Sequence, residues 1–256
     1  MTANGISLSP ELISYKDKNA VARLGIIALS TDLTSEGDFY RQIPEDRASL
    51  YVTRVAFENP TTPENLRRMA PRIRSAAELL LPVGPLNAVC YSCTAASVVI
   101  GDQEVTQVIN DVLTDVPVVT PSGAALMAFK QLGVKKVSVL TPYRIETSEP
   151  MASYFTSQGL EIQKFHCLGI DDDREMARVT RQTIVAATLA TDTTDTEAFF
   201  VSCTALPAIH AIEEIERITG KPVVTSNQAT AWALMRHAGI EGGRKDFGNL
   251  FNKDTL

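Results

Sequence analysis

Short apolar runs alternate along this chain with longer stretches whose apolar residues recur every three or four positions. The first run, residues 23–30 (R-L-G-I-I-A-L-S), is apolar without alternation, as in a strand covered on both faces of a parallel sheet. Similar runs predict strands over 49–57, 86–91, 116–120, 137–141, 161–168, 198–202 and 223–225. Helical spacing covers 62–80, 102–113, 122–132, 149–158, 173–190, 208–219 and 228–237. Thr62 suits the N-cap of its helix, with Pro63 at the first helical position and Glu64 in the first turn. Gly133, Gly159, Gly220 and Gly239 stand where helices should close. Residues 1–20 read as an arm or loop, 31–37 as a loop at the carboxyl end of the first strand, and the tail from Glu241 as loose. Residues 92–101 read as a loop leading to a helix or turn. Strands alternating with helices predict an α/β fold with parallel sheets and right-handed crossovers.

The pattern also repeats. S-C-T-A occurs at 92–95 and again at 202–205, each time after an apolar strand. Each copy is followed by P-V-V-T, a turn, a helix and a glycine. The two cysteines lie 110 residues apart and the two P-V-V-T strands 105. Matched blocks in one order at one offset indicate a duplicated half. Residues 1–119 with 226–256 would make the half that carries Cys93, and 120–225 the half that carries Cys203. Ligands of open parallel sheets bind beyond the carboxyl ends of the strands, so two such halves could aim both thiols into one cleft.

Composition narrows the chemistry. The 256 residues carry a net charge of −6, without the basic excess of a nucleic-acid binder. No apolar run approaches the roughly 20 residues of a membrane span. The first twenty residues lack a signal-peptide pattern, so the cytoplasm is the expected compartment. The four cysteines are then expected to be reduced. Cys90 and Cys93 form a C-x-x-C, but no second pair completes a zinc knuckle. A thioredoxin-like pair would place its first cysteine at a helix start, whereas the strand runs through Cys90. Cys90 and Cys167 read as core thiols. G-x-G-x-x-G and G-x-x-x-x-G-K-[ST] do not occur, and no cofactor or metal is expected. Asp171 and Asp172 read as loop residues before a helix that Asp173 caps.

Six segments carry a resemblance to a known family. They are 24–36 (L-G-I-I-A-L-S-T-D-L-T-S-E), Y-S-C-T-A at 91–95, P-V-V-T-P-S-G-A-A at 117–125, T-P-Y at 141–143, V-S-C-T-A-L-P at 201–207 and P-V-V-T-S-N-Q-A-T at 222–230. Together they resemble the cofactor-independent aspartate/glutamate racemase superfamily, in its maleate cis-trans isomerase and arylmalonate decarboxylase branch. The first loop is also similar to that of the branch's ectoine-utilisation proteins. The resemblance implies two flavodoxin-like halves with the active site between them, a small carboxylic acid as substrate, and a homo-oligomer. It implies that Cys93 and Cys203 are opposed catalytic thiols, as two bases of a racemase or as nucleophile and acid of an isomerase. Decarboxylases of the branch keep only the second cysteine.

A thiolate is the active form in each case, and helix-start N–H groups would favour it at both cysteines. Backbone N–H groups of Thr94, Thr204, Ser122 and Gly123 could hold a substrate carboxylate, or the side chains could simply cap helices. Tyr143 could donate to a carboxylate or fill the core. Asn227 is a substrate contact or a turn residue. Asp32 departs from the asparagine of the maleate isomerases. An ionised carboxylate cannot donate and repels an anion, which hints at an amine on the substrate or at an Asx-turn. A malonate-type decarboxylase and a non-enzymatic two-lobed ligand binder stand as the alternatives.

Overall fold

The computed structural model describes residues 6–80, 84–241 and 246–252. The first half of the chain runs β1 (Ala22–Leu29), α1 (Ser35–Gln42), β2 (Ala48–Val55), α2 (Pro63–Arg67), α3 (Ala70–Ala77), β3 (Ala88–Ser92), α4 (Thr94–Ile100), α5 (Asp102–Asn110), β4 (Val118–Val119) and α6 (Pro121–Leu132). The second runs β5 (Lys136–Thr141), α7 (Ile145–Ser157), β6 (Glu161–Cys167), α8 (Asp173–Met176), α9 (Arg181–Leu189), β7 (Ala198–Val201), a 3-10 turn (Ala208–Ala211), α10 (Ile212–Thr219), β8 (Val223–Thr225) and α11 (Ser226–His237). A last short helix, α12, covers Asn249–Asn252.

All pairings are parallel, and the two sheets have the same strand order: β2-β1-β3-β4 and β6-β5-β7-β8. The predicted α/β architecture and its duplication are therefore present. β1 is buried along nearly its whole length, as its unbroken apolar run required. Gly25 within it is a packing necessity: a Cβ there would lie 2.8 Å from Leu86 Cδ1 and 2.9 Å from Val89 Cγ2. The helices α6 and α11, each following the last strand of its sheet, pack on one another. Among the described residues no helix is long and apolar enough to cross a membrane.

Several predicted boundaries change. The helix expected over 62–80 breaks into α2 and α3, because Pro71 has no N–H to carry the ladder on. Thr62 does cap α2, accepting from the Asn65 N–H. The helix expected over 173–190 divides where Thr180 caps α9 by accepting from the Thr183 N–H. Helix α7 begins at Ile145, with Pro150 inside it rather than at its start. Residues 35–42 form a helix that the apolar pattern did not reveal, since its buried face is Ser35, Asp38, Phe39 and Gln42. The tail is anchored in part: Leu250 and Phe251 are buried, and Gln228 donates to the Phe247 carbonyl. Its residues 242–245 and 253–256 lie outside the described residues, as do 1–5 of the arm.

Candidate active site

Cys93 follows β3 and Cys203 follows β7, the third strand of each half. In both sheets that strand lies beside the half's first strand, Ala28 opposite Ser92 and Leu140 opposite Val201. The repeat thus delivers the two thiols to equivalent strand ends. Both are buried, at 5% and 3% exposure; Cys203 acts on Cys93, and Asp173 and Asp32 act on both. Cys93 takes the N-cap position of α4. Cys203 opens a bend and the 3-10 turn instead of the α-helix expected there. Its φ is 119°, a left-handed backbone that strains any residue with a Cβ.

The two S-C-T segments are tied to each other. The Thr204 hydroxyl donates to the Ser92 carbonyl at 3.1 Å. The Thr94 hydroxyl donates to Ser226 Oγ at 2.8 Å, and the same oxygen accepts the Cys203 N–H at 3.0 Å. Asn227 uses one amide nitrogen twice, on Asp38 Oδ2 at 2.8 Å and on the Thr204 carbonyl at 2.9 Å. Tyr143 is 2% exposed and its hydroxyl hydrogen-bonds the Cys203 sulfur. Met176 Sδ lies 3.9 Å from that sulfur. The Ser122 hydroxyl donates to Asp102 at 2.7 Å, and the Gly123 N–H is taken by Thr120. Cys90 is fully buried within β3, and Cys167 is half-buried in β6, away from the pair.

The family described as arylmalonate decarboxylase matches residues 42–251. The chain belongs to the arylmalonate decarboxylase family. Maleate isomerase of Alcaligenes faecalis is 25% identical over 246 residues, covering 90% of this chain and 96% of that one. Arylmalonate decarboxylase of Bordetella bronchiseptica is 34% identical over 145 residues, 55% of this chain and 60% of the relative. A Nocardia farcinica maleate cis-trans isomerase mutant, solved with a covalently bound succinylcysteine intermediate, superposes with a TM-score of 0.81 at 21% identity, covering 90% of this chain and 98% of that one. The resemblance read from the sequence holds for family and fold.

This member of the arylmalonate decarboxylase family surrounds its thiols with buried carboxyl groups. Asp32 is 3% exposed and accepts from the Thr34 and Ser35 N–H groups, both at 2.8 Å, and from the Ser35 hydroxyl. That is the turn-forming arrangement, joined to Ser92 because Ser35 Oγ also lies 3.0 Å from Ser92 Oγ. Burial still pushes the Asp32 carboxyl up. Asp173 was expected to cap a helix, but Asp172 does so, accepting the Arg174 N–H. Asp173 instead turns inward at 4% exposure and accepts from the hydroxyls of Thr31 at 2.8 Å and Thr61 at 3.2 Å. Burial raises its pKa to about 6.

These groups reverse the expectation of lowered thiol pKa values. The Ala96 N–H meets the Cys93 sulfur, and the Ala205 N–H meets that of Cys203. Yet burial, with Asp173 next in weight, pushes both thiols up. Both sulfurs are therefore protonated in this closed arrangement. Sequence reasoning missed Ser226 and Asp173, because their partners at the site lie 132 and 142 residues away in the chain.

Proposed function

We propose that this protein is a cofactor-independent isomerase or racemase of a small carboxylic acid, with Cys93 and Cys203 acting from opposite sides. The observation that carries the reading is two buried thiols at equivalent strand ends of a duplicated fold, cross-tied through Ser226. The succinylcysteine of the Nocardia relative supports a cysteine as the reacting group. In a racemisation, one thiolate takes the proton next to the carboxylate and the other thiol gives its own proton to the opposite face. In a cis-trans isomerisation, a thiolate adds to the double bond while the second thiol protonates the neighbouring carbon. Rotation and reversal of both transfers then release the product. Cys203 is the sulfur better equipped to hold charge, with the Tyr143 hydroxyl and the Ala205 N–H against the single Ala96 N–H at Cys93.

The test is turnover by Cys93→Ser and Cys203→Ser on a panel of unsaturated dicarboxylates and chiral 2-substituted acids in deuterated water. Loss of activity in both variants, with deuterium entering the product of wild-type protein, is the expected result. The partial match to the Bordetella decarboxylase favours a second reading, decarboxylation of a malonate-type acid by Cys203 alone. Full activity in Cys93→Ser with loss in Cys203→Ser would select it. Full activity in both variants would end the thiol mechanism altogether.

A further inference from the structure

The short helix α8 brings two side chains to the site from one face. Met176 touches the Cys203 sulfur, and Asp173, one turn earlier, faces the first half's loops through Thr31 and Thr61. Asp173 acts on both thiols, and Asp32 acts on Asp173. Asp32 and Asp173 thus place two buried carboxyl groups around the sulfurs. The cation acting on Asp32 is Arg54. Its Nη1 is bound to the Leu29 and Asp32 carbonyls and its Nη2 pairs with Glu36.

A substrate carboxylate and a thiolate would add two more negative charges. Like charges gathered in a poorly hydrated interior repel strongly. A dianionic substrate deepens that imbalance, while a cationic nitrogen offsets it. A second observation points the same way. Asn227 Oδ1 is buried and accepts from no described residue, though its amide nitrogen sits on the Thr204 carbonyl. An unfilled acceptor beside the Cys203 loop suits an N–H donor.

We propose that Asp173, with Asp32, is the specificity-determining residue of the site, selecting small acids that carry an ammonium or other cationic nitrogen over dicarboxylates. This rests on the two-thiol reading above. It assigns the substrate's charge, with Asp173 as counter-ion to the nitrogen. At neutral pH its carboxyl is ionised and able to serve.

Three small alkylating agents read this charge preference directly, without a known substrate. They are 2-bromoethylamine (cationic), iodoacetamide (neutral) and iodoacetate (anionic). Their rates at Cys93 and Cys203 are followed by peptide mass spectrometry and normalised to the rates with glutathione. The expected wild-type result is a preference for the cation over the anion of about tenfold or more, the order of a single partly screened charge pair. Asp173→Asn, nearly isosteric, should shrink that ratio severalfold. The iodoacetamide rate controls for access, since mere loosening would speed all three reagents alike. A wild-type ratio equal to that of glutathione overturns the proposal before any variant is made. An unchanged ratio in folded Asp173→Asn overturns the role of Asp173. Should that variant not fold, Asp32→Asn removes the neighbouring charge, and the ratio must fall there too. Alkylation needs no turnover, so failure here is distinct from failure of the cysteine variants in the activity assay.

Discussion

Cys203 holds a strained backbone at φ 119°, and its N–H is anchored on Ser226 Oγ. Ser226→Ala frees that N–H and the Thr94 hydroxyl together. The expected stability loss is about 1–3 kcal/mol, since two buried donors lose their acceptor. Activity should fall further than the melting point predicts, because Cys203 is no longer fixed. A variant that melts like wild type and turns over normally would remove Ser226 from the site. Asp38 carries a pH prediction. Burial raises its pKa from 3.8 to about 7 while Asn227 donates to it. Between those values the unfolded chain has lost the proton that the folded chain keeps. Rising pH therefore takes away stability over that window, on the order of a few kcal/mol. Asp38→Asn does not titrate, so its melting point relative to wild type should climb from pH 4 to pH 8. A constant offset would contradict the shift. Cys93, Cys203 and Tyr143 were legible because each stands at the end of a recognisable strand. Ser226 and Asp173 were not, since a serine at a helix start and an aspartate in D-D-D look like ordinary caps until distant loops meet them.

The strands were easy to read because parallel strands covered on both faces must be apolar throughout, and the chain repeats them at one spacing. Helices were read through one-sided apolar spacing, which fails for α1, whose buried face is largely polar because it borders the site. It also fails at internal breaks, where Pro71 and the Thr180 cap interrupt a continuing apolar period. Helix α11 shows what a local signal can contribute. Thr225 and Gln228 form a reciprocal capping box, the threonine hydroxyl accepting the Gln228 N–H and the glutamine accepting the Thr225 N–H. The helix it starts carries Ser226 and Asn227, so the cap also sets the site. Thr225→Ala should cost about 1–2 kcal/mol in chemical denaturation, toward the upper end because the cap is buried. A loss of a few tenths would mean that packing against α6 alone holds this end.

At the scale of the whole molecule, the two sheets are joined by loops that follow the second strand of each half. Asn59 clasps the second half with both ends of its amide, donating to Asp172 Oδ1 at 3.0 Å and accepting the Asp173 N–H at 3.3 Å. Beside it the Thr61 N–H donates to the Asp171 carbonyl at 2.7 Å, and the Thr147 hydroxyl donates to the Thr61 carbonyl at 2.8 Å. With Cys93 and Cys203 no more than 5% exposed, a reagent or substrate reaches them only when the structure opens, and the parting of this seam is the expected route. Asn59→Ala removes two of these bonds without touching a thiol. If each contributes about 0.5–1.5 kcal/mol in the closed state, opening becomes roughly five- to a hundredfold more frequent. Neutral iodoacetamide should then label both cysteines faster by a factor in that range, while the global melting point moves little, because Asn59 itself lies in a loop outside the core. Equal acceleration at Cys93 and Cys203 is the signature of one opening that serves both. Acceleration at one cysteine alone would mean that each half exposes its own thiol, and no change at all would place the entry route elsewhere than between the β2–α2 and β6–α8 loops.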